Sequence, residues 1–174
     1  MVVARIRIPR RDELEALRSL EQEAGAAFAA IGMDEIADDE PLPVLALEAF
    51  RAEGRAWVAV DGRDLPAAYL LSAVVDGCTH VEQVSVAPSQ TRRGLGAALI
   101  EHAAAAARAE GRPALTLTTF RDVPWNAPYF RRLGFVVVEP GDQDPELAAL
   151  VAREVVSIPG DAPRVAMQRP LSAR

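Results

Sequence analysis

One stretch of the chain, residues 84–99, constrains its fold more than any other. It consists of a β-branched run, a proline-marked loop and the start of a long alanine-rich pattern, VSVAPSQTRRGLGAAL. This order predicts a strand, then a loop over Pro88–Arg93, then a helix over Gly94–Glu110 that Gly111 and Pro113 end. A strand that leads into a long helix in this way is typical of an α/β or mixed α+β domain.

The start of this predicted helix can hold an anion of the pyrophosphate type. The first backbone N–H groups of a helix have no intrahelical partner, and the helix dipole favours negative charge there. Gly94 and Gly96 allow a phosphate to approach the backbone, and Arg92 and Arg93 add charged donors. Two glycines at this spacing are equally typical of a helix that simply packs on a strand, so both interpretations stand at this point.

Three classes of phosphate-bearing cofactor compete for such a site. A nucleotide on a P-loop is excluded because that loop needs a lysine, and all 19 basic residues are arginine. A dinucleotide on a Rossmann unit needs a third glycine where Leu99 stands, and an acidic ribose ligand that Pro113–Thr119 does not offer. Coenzyme A is the class that remains.

The rest of the chain predicts further strands and helices without repeats or linkers. The predicted strands are Val2–Ile8, Arg55–Val60, Ala67–Val75, Thr79–Val86, Ala114–Thr118, Phe135–Glu139 and Arg164–Arg169. Four other helices are predicted. The first is capped by Asp12 and has Leu14, Leu17, Leu20, Ala24 and Phe28 on its core face. The others span Val44–Glu53, Asn126 to Leu133 and Pro145–Val155.

Turn signals arrange these strands. Asp61-Gly62 and Asp76-Gly77 are typical hairpin turns, so residues 55–86 are expected to form an antiparallel meander. Strand Ala114–Thr118 follows the long helix and is expected to pair in parallel with the strand before it.

Composition and charge exclude several classes of function. Half of the 174 residues are apolar and a quarter are charged, which suits a single globular domain. A formal net charge of −6 disfavours nucleic-acid binding. There is neither a targeting segment nor an apolar run of membrane-spanning length, so we expect no membrane partner and a cytoplasmic location. A single cysteine, Cys78, suits a reducing compartment, and one cysteine with two histidines gives no reason to expect a metal.

Two motifs together resemble the GNAT superfamily of N-acetyltransferases. Val86-x-Pro88 followed by Arg92–Ile100 (RRGLGAALI) looks like the acetyl-CoA loop of that family, and Tyr129–Phe135 (YFRRLGF) looks like its later aromatic-xx-Leu-Gly-Phe signature. The resemblance implies one domain over residues 1–174 with a central mixed, largely antiparallel sheet, a splayed parallel strand pair and helices on both faces. It also implies acetyl-CoA or another acyl-CoA, and direct acyl transfer to an amine.

The resemblance places the cofactor on one strand and the loop that follows it. Thr91 stands where the family favours glutamine or arginine, a departure that a cradle of main-chain amides tolerates. Asn126 is an additional candidate contact, although a helix N-cap explains it better. The implied contacts are Val84, Ser85, Val86, Thr91, Arg92, Arg93, Gly94, Leu95, Gly96 and Ala97.

Glu82 is the candidate catalytic base. Acyl transfer needs a neutral amine, whereas an amine with an ordinary pKa of about 10 is protonated at neutral pH. Glu82 lies two residues before Val84, where the family often has an acidic residue, and partial desolvation raises the pKa of a glutamate. The alternative is an outward-facing charge on a strand edge. His80 is a rival base, or else a solvated residue near a turn.

The expected general acid is displaced by one position. The family often has a tyrosine four places before the glycine of Leu-Gly-Phe, and here that place holds Phe130, with Tyr129 beside it. Neighbouring residues of a helix point about 100° apart. Tyr129 is therefore a catalytic candidate from whose removal we expect little effect. His102 is expected to be a surface or packing residue.

The acceptor side carries weaker signals. The acids of residues 34–40 and Asp122 can attract a cationic amine, although a solvated loop explains the acidic run equally well. Trp125 is expected in the core rather than in the wall of an acceptor site, and Ser85 is expected to be a plain strand residue rather than a wall of the acyl pocket. The apolar face of the last helix, with Leu147, Leu150 and Val151, can serve the core or a homodimer.

The function expected from these observations is acetyl transfer from acetyl-CoA to a primary amine of a small molecule or peptide. A coenzyme A-binding module without catalysis is the alternative, and a structural domain with coincidental glycines is a third interpretation. Phe130 in the tyrosine position favours the second, whereas Glu82 and the complete Gly-x-Gly loop favour the first.

Overall fold

The computed structural model describes residues 5–157 and 162–171, with only the backbone of Ser157. The chain divides into two compact units. Unit 1 comprises Met1–Ser72 and Gln83–His102, and unit 2 comprises Ala73–Glu82 and Ala103–Arg174. The expectation of one domain over residues 1–174 stays a prediction.

Seven strands among the described residues form one mixed sheet, in the order β1-β2-β3-β4-β5-β7-β6. They are β1 (Arg5–Arg7), β2 (Ala56–Val60), β3 (Pro66–Val75), β4 (Cys78–Val86), β5 (Ala114–Phe120), β6 (Val136–Val138) and β7 (Arg164–Pro170). The α-helices are α1 (Leu14–Gly25), α2 (Asp34–Ala37), α3 (Val44–Ala52), α4 (Leu95–Ala109), α5 (Ala127–Arg132) and α6 (Pro145–Ser157).

One strand pair is parallel, as the crossover through α4 predicts. β4 pairs with β5 at Thr79↔Leu115, His80↔Thr116 and Val81↔Leu117. The register ends there although β4 continues to Val86 and β5 to Phe120, in agreement with the expected splayed pair. The registers of β1 with β2, β2 with β3, β5 with β7 and β6 with β7 are antiparallel. The mixed, largely antiparallel fold is therefore confirmed.

The core of unit 1 lies between α1, α3 and the strands β2 and β3. Leu14, Leu17 and Leu20 of α1 are buried there, as their spacing predicts, whereas Ala24 and Phe28 are only half-buried. The helix does not begin at Asp12. A 3-10 turn over Arg11–Glu13 precedes it, and Glu13 accepts a hydrogen bond from the backbone N–H of Arg10 at 2.6 Å. The carboxylate of Glu13 thus caps the 3-10 turn, within which Asp12 lies, and α1 itself has no side-chain cap hydrogen bond at its N-cap residue.

The apolar face of the last helix, α6, packs in the core of unit 2. Leu147 and Leu150 of α6 pack with Val75 and Ala166, and Val151 lies against the same cluster. This face of α6 therefore serves the core.

The start of α6 is held from the β3–β4 turn. The carboxylate of Asp76 accepts hydrogen bonds from the backbone N–H groups of Glu146 at 3.1 Å and Leu147 at 2.8 Å. In return the backbone N–H of Asp76 donates to Glu146 Oε2 at 2.6 Å. We call this reciprocal contact the Asp76 clasp; it satisfies backbone donors that every helix start leaves unpaired.

Most boundaries agree with the predicted ones to within one or two residues. Three differences stand out. The acidic connection contains α2, β5 runs on to Phe120, and of the predicted strand Val2–Ile8 the first three residues lie outside the described part of the chain. No described helix is both long enough and apolar enough to cross a membrane. The described residues contain no group of three or more potential metal ligands.

Candidate active site

The glycine loop of unit 1 has the backbone geometry of an anion cradle. Arg92 and Gly94 both have positive φ, 62° and 78°, and α4 begins directly after them, with the N–H of Ala98 bonded to the carbonyl of Gly94. A side chain at position 94 would meet no atom within 4 Å, so the space beside this backbone is open. Arg92 and Arg93 are exposed and make no hydrogen bond to any described residue. A helix N-terminus with open backbone and two available guanidinium groups fits a pyrophosphate.

The remaining predicted cofactor contacts divide between the two units. Val84, Ser85 and Val86 lie on β4 in unit 1 with the loop residues Thr91–Ala97, whereas Asn126 belongs to unit 2. Asn126 occupies the N-cap position of α5, but its side chain does not cap the helix. Its Nδ2 donates to Thr119 Oγ1 at 2.8 Å, and its buried Oδ1 has no partner among the described residues. The N-cap explanation is therefore wrong for this side chain.

Ser85 is more than a plain strand residue. It is buried, and it accepts a hydrogen bond from Gln83 Nε2 at 2.8 Å. The hydroxyl of Ser85 also lowers the pKa of Tyr69, whose own hydroxyl donates a hydrogen bond to Glu21 Oε2. Burial raises the pKa of Tyr69 far above its usual value. Burial also raises the pKa of Glu21, and the negative charge of Asp39 raises it further. Unit 1 thus contains two hydrogen-bonded pairs of polar side chains, Gln83 with Ser85 on β4 and Tyr69 of β3 with Glu21 of α1.

Sequence reasoning missed the pair of Tyr69 and Glu21. The available signal was a tyrosine within an otherwise apolar strand, since a buried tyrosine hydroxyl needs a hydrogen-bond partner. Nothing local to Glu21 indicates that it is this partner.

Glu82, in unit 2, lines an open pocket with one face of α6. The other lining residues are Leu150, Ala152, Arg153, Glu154 and Val156. Part of the Glu82 side chain is exposed, yet burial of the carboxyl group raises its pKa, and the charge of Glu154 raises it further, while Arg153 lowers it. A carboxylate with a raised pKa is a stronger proton acceptor than an ordinary glutamate.

The two charged α6 residues of this pocket differ in their contacts. Glu154 accepts hydrogen bonds from Thr118 Oγ1 at 2.8 Å and from Arg164 Nε at 3.2 Å. Arg164 also lies over the ring of Phe120, 4.7 Å from its centroid. Arg153 is exposed and has no hydrogen bond or ion pair with any residue that the structure describes. Sequence reasoning gave neither residue a role, because nothing within α6 indicates that it faces Glu82.

His80 is buried rather than solvated, and its surroundings do not favour it as the base. Its side chain is buried, and its Nδ1 lies 2.9 Å from Thr116 Oγ1. Burial lowers the pKa of His80 to about 4, so the imidazole is neutral and a weak base at neutral pH. His102, as expected, is a packing residue, with its ring edge-on to Trp57 at 5.4 Å.

The aromatic signature of α5 divides between core and surface. Phe130 is 6% exposed and packs edge-on against Phe135, with 5.7 Å between ring centroids. Tyr129 is half-buried, burial raises the pKa of its hydroxyl, and the guanidinium of Arg132 lies over its ring at 5.6 Å. The position at which the family often has a tyrosine thus belongs to the core of unit 2.

The other acceptor-side candidates lie at the surface. Trp125 is 42% exposed, so the expectation that it fills the core is wrong. Asp122 forms an exposed ion pair with its neighbour Arg121 at 3.3 Å. The acids of residues 34–40 are exposed as well, which leaves their contact with an acceptor a prediction.

Comparison with known proteins identifies the fold and the family. A model of the acetyltransferase (GNAT) family matches residues 14–135, more than half of the chain. An acetyltransferase of the GNAT family from Staphylococcus aureus is 15% identical, with a TM-score of 0.70 over 97% of this chain and 99% of its own. The ribosomal-protein-S18-alanine N-acetyltransferase of Escherichia coli is 20% identical, with a TM-score of 0.66 over 98% and 95%.

A third similar structure was solved with coenzyme A. It is the PaiA N-acetyltransferase of Thermoplasma acidophilum, 14% identical, with a TM-score of 0.62 over 95% of this chain and 98% of its own. At such identities these structures show a shared fold, whereas the family model covers both motifs of the sequence. The protein is a member of the GNAT family of acetyltransferases, and acetyl-CoA is the co-substrate that fits it.

Proposed function

We propose that this protein transfers an acetyl group from acetyl-CoA to a primary amine of a small molecule or peptide, with Glu82 as the base. The observation that carries the proposal is the pocket of Glu82, in which burial and the charge of Glu154 raise the pKa of its carboxyl group. The chemistry of amine acylation needs a proton acceptor of this kind.

The reaction requires a proton to leave before the new bond forms. A Glu82 carboxylate oxygen accepts a proton from the acceptor's ammonium group, directly or through one water, and leaves a neutral amine. The nitrogen lone pair then forms the N–C bond to the acetyl carbonyl carbon. The C–S bond breaks, its electron pair departs with sulfur as a thiolate, and the second proton of the acylated nitrogen passes to solvent water, which leaves a neutral amide. Acetyl-CoA, when bound, supplies an acyl carbon activated by its thioester.

Backbone and arginine donors hold the co-substrate in this proposal. The open backbone around Gly94 and the side chains of Arg92 and Arg93 bind the pyrophosphate. Val84 and Val86 on β4 orient the acyl end through their main-chain groups. The unpartnered Oδ1 of Asn126 is an additional candidate contact.

A protein acid is not required in this proposal. Phe130 is a core residue, and its phenyl ring has no ionisable group, so it cannot protonate the departing sulfur. Tyr129 is its half-buried neighbour, and burial raises its pKa further from neutrality. We therefore expect sulfur to leave as a thiolate, and the Tyr129→Phe variant to keep kcat within about threefold of the wild type.

Titration calorimetry with acetyl-CoA, with NAD as the control ligand, tests the binding part. We expect saturable binding of acetyl-CoA and none of NAD. Gly94→Glu should abolish binding, because it places a carboxylate and a β-carbon in the cradle at a φ of 78°. Gly62→Glu, which adds the same charge at another exposed glycine of unit 1, should leave binding unchanged. No binding by a folded sample would overturn the proposal.

The catalytic part is tested by release of free coenzyme A from acetyl-CoA in the presence of a panel of amines. Glu82→Gln should lower kcat about 100-fold or more with the affinity for acetyl-CoA unchanged, as expected for loss of a general base. Equal turnover of this variant and the wild type at every pH would contradict the assignment.

A coenzyme A-binding module without catalysis is the second candidate. The core position of Phe130 favours it, because the acid often found in the family is absent here. This candidate predicts saturable acetyl-CoA binding together with no release of coenzyme A above the rate without protein for any amine. The same two measurements therefore separate the candidates.

A further inference from the structure

We propose that the acceptor is an amine that also carries a carboxylate, an amino acid or a compound of that type, and that Arg153 binds the carboxylate. The inference rests on the proposed function of Glu82 and goes beyond it in naming the class of acceptor. It is carried by the pocket that Glu82 and α6 form within unit 2.

The charged side chains that line this pocket differ in whether they already have a partner within the protein. Glu154 is already paired with Arg164 and bonded to Thr118, so both of its oxygens have partners within the protein. Arg153 makes no ion pair with any residue in the described ranges, and Glu82 has no cationic hydrogen-bond partner in them either. The pocket therefore offers an approaching molecule one carboxylate and one guanidinium group.

A molecule with one ammonium and one carboxylate group is complementary to this pair. The ammonium group meets Glu82, which then takes its proton, and the carboxylate meets the planar donor fork of Arg153, whose geometry suits two parallel hydrogen bonds. A polyamine would instead bring a second positive charge toward Arg153. The pocket thus disfavours the polycationic acceptors that the exposed acidic run of residues 34–40 would attract.

The spacing along α6 places the relevant groups together. Leu150, Arg153 and Glu154 are separated by three and four residues, which puts them on one side of a helix. Leu150, Ala152 and Val156 give the pocket an apolar wall, and Val156 is 88% exposed. An apolar side chain or methylene chain between the ammonium and carboxylate groups of the acceptor would cover this surface.

The experiment uses matched acceptors that differ only in the carboxylate. The pairs are leucine with leucinamide and 4-aminobutanoate with 4-aminobutanamide, and 1,4-diaminobutane represents the dications. For the wild type we expect kcat/KM at least tenfold higher for an acid than for its amide in at least one pair. In the Arg153→Glu variant we expect kcat/KM for that acid to fall about 100-fold. We expect kcat/KM for 1,4-diaminobutane to rise and KM for acetyl-CoA to stay unchanged.

The matched control is Arg63→Glu, which makes the same charge reversal on an exposed turn of unit 1 and should leave all of these values unchanged. Three results would overturn the inference. They are an equal loss for acid and amide, a loss that appears only in KM for acetyl-CoA, and a wild type that prefers the amides or the diamine.

Binding without catalysis separates this inference from the proposed function. We expect calorimetry to show that the reaction product N-acetylleucine binds the protein more tightly than N-acetylleucinamide, and that Arg153→Glu removes the difference. Carboxylate-dependent binding without any coenzyme A release would refute the proposed function alone. Absence of the difference, with amines acetylated normally, would refute the role of Arg153 alone.

Discussion

Burial raises the pKa of Glu82, and two neighbours of opposite charge on consecutive positions of α6 adjust this pKa further. Glu154 raises it and Arg153 lowers it. Because the base works only when deprotonated, Glu154→Gln should move the acid limb of kcat, measured at saturating acceptor, to lower pH. Arg153→Gln should move it to higher pH. The glutamine at 154 can still accept from Thr118 through its amide oxygen, whereas Arg164 loses its charged partner.

The control for these pH profiles is Glu82→Gln, in which the acid limb should disappear. Shifts of both variants in the same direction would show that Glu82 is not the group that titrates.

A different carboxylate at the residue scale governs stability. Glu13 is 7% exposed, and both of its oxygens accept from Arg7, at 2.7 and 2.8 Å, which lowers its pKa. We expect Glu13→Gln to cost about 1.5–3 kcal/mol of unfolding free energy at pH 7. The difference in unfolding free energy between Glu13→Gln and the wild type should become smaller as the pH falls through the lowered pKa of Glu13, because protonation removes the charge of Glu13 in the wild type too.

Urea unfolding at pH 7 and pH 3 measures this effect. Glu23→Gln is the matched control, since Glu23 is an exposed acid of α1, and it should change the free energy of unfolding by less than about 0.5 kcal/mol. If Glu13→Gln and Glu23→Gln lowered the free energy of unfolding by the same amount, the role given to Glu13 would be wrong.

At the scale of the element, α6 depends on a residue far away in the chain. Asp144 directly precedes the helix and is a typical N-cap residue type, yet the N–H groups of Glu146 and Leu147 are bonded by Asp76. Asp76→Asn keeps a residue that tolerates the φ of 48° but weakens the Asp76 clasp. We expect the free energy of unfolding to fall by about 1 kcal/mol. We also expect a higher KM for the acceptor and an unchanged affinity for acetyl-CoA.

Urea unfolding and steady-state kinetics measure the two effects. Asp142→Asn, which changes an exposed acid shortly before the same helix, should alter neither. If both substitutions gave the same loss, the clasp would not be what stabilises the start of α6.

Elements with a clear period could be predicted, and side-chain partners could not. The spacing of Leu14, Leu17 and Leu20 defines a buried face because burial of that face is what forms the helix. The burial of His80 and the exposure of Trp125 depend instead on which chain segments pack around them. Glu13 replaces Asp12 as the capping group for the same reason, since its position depends on a contact with Arg7.

At the scale of the whole molecule, the family could be predicted because two motifs stand at a fixed separation in the chain. The candidate acceptor pocket could not be predicted, because Glu82 and residues 150–156 come together only in the folded unit 2. Charge patterning alone drew attention to the acids of residues 34–40, which are consecutive in sequence, rather than to Arg153.

The whole molecule also offers few groups that could carry an acetyl group themselves. The chain contains no lysine, so the polypeptide has no side-chain amine. Cys78 is buried, and burial raises the pKa of its thiol, which disfavours a reactive thiolate. After incubation with acetyl-CoA alone, we expect intact-mass measurement to show at most one acetyl group, at the α-amine. A stable acetyl group on Cys78 would contradict direct transfer.

The residues of α6 differ in how far they contribute to the core, and this difference suggests a route for engineering. Leu147 is buried in the core of unit 2 and Leu150 contacts both core and pocket, whereas Arg153 and Val156 line the pocket and are exposed to solvent. A library randomised at positions 153 and 156 would therefore vary the chemistry presented to the acceptor at little cost in folding. Selection from such a library could retarget the enzyme to new amines while the sheet and the glycine loop stay as they are.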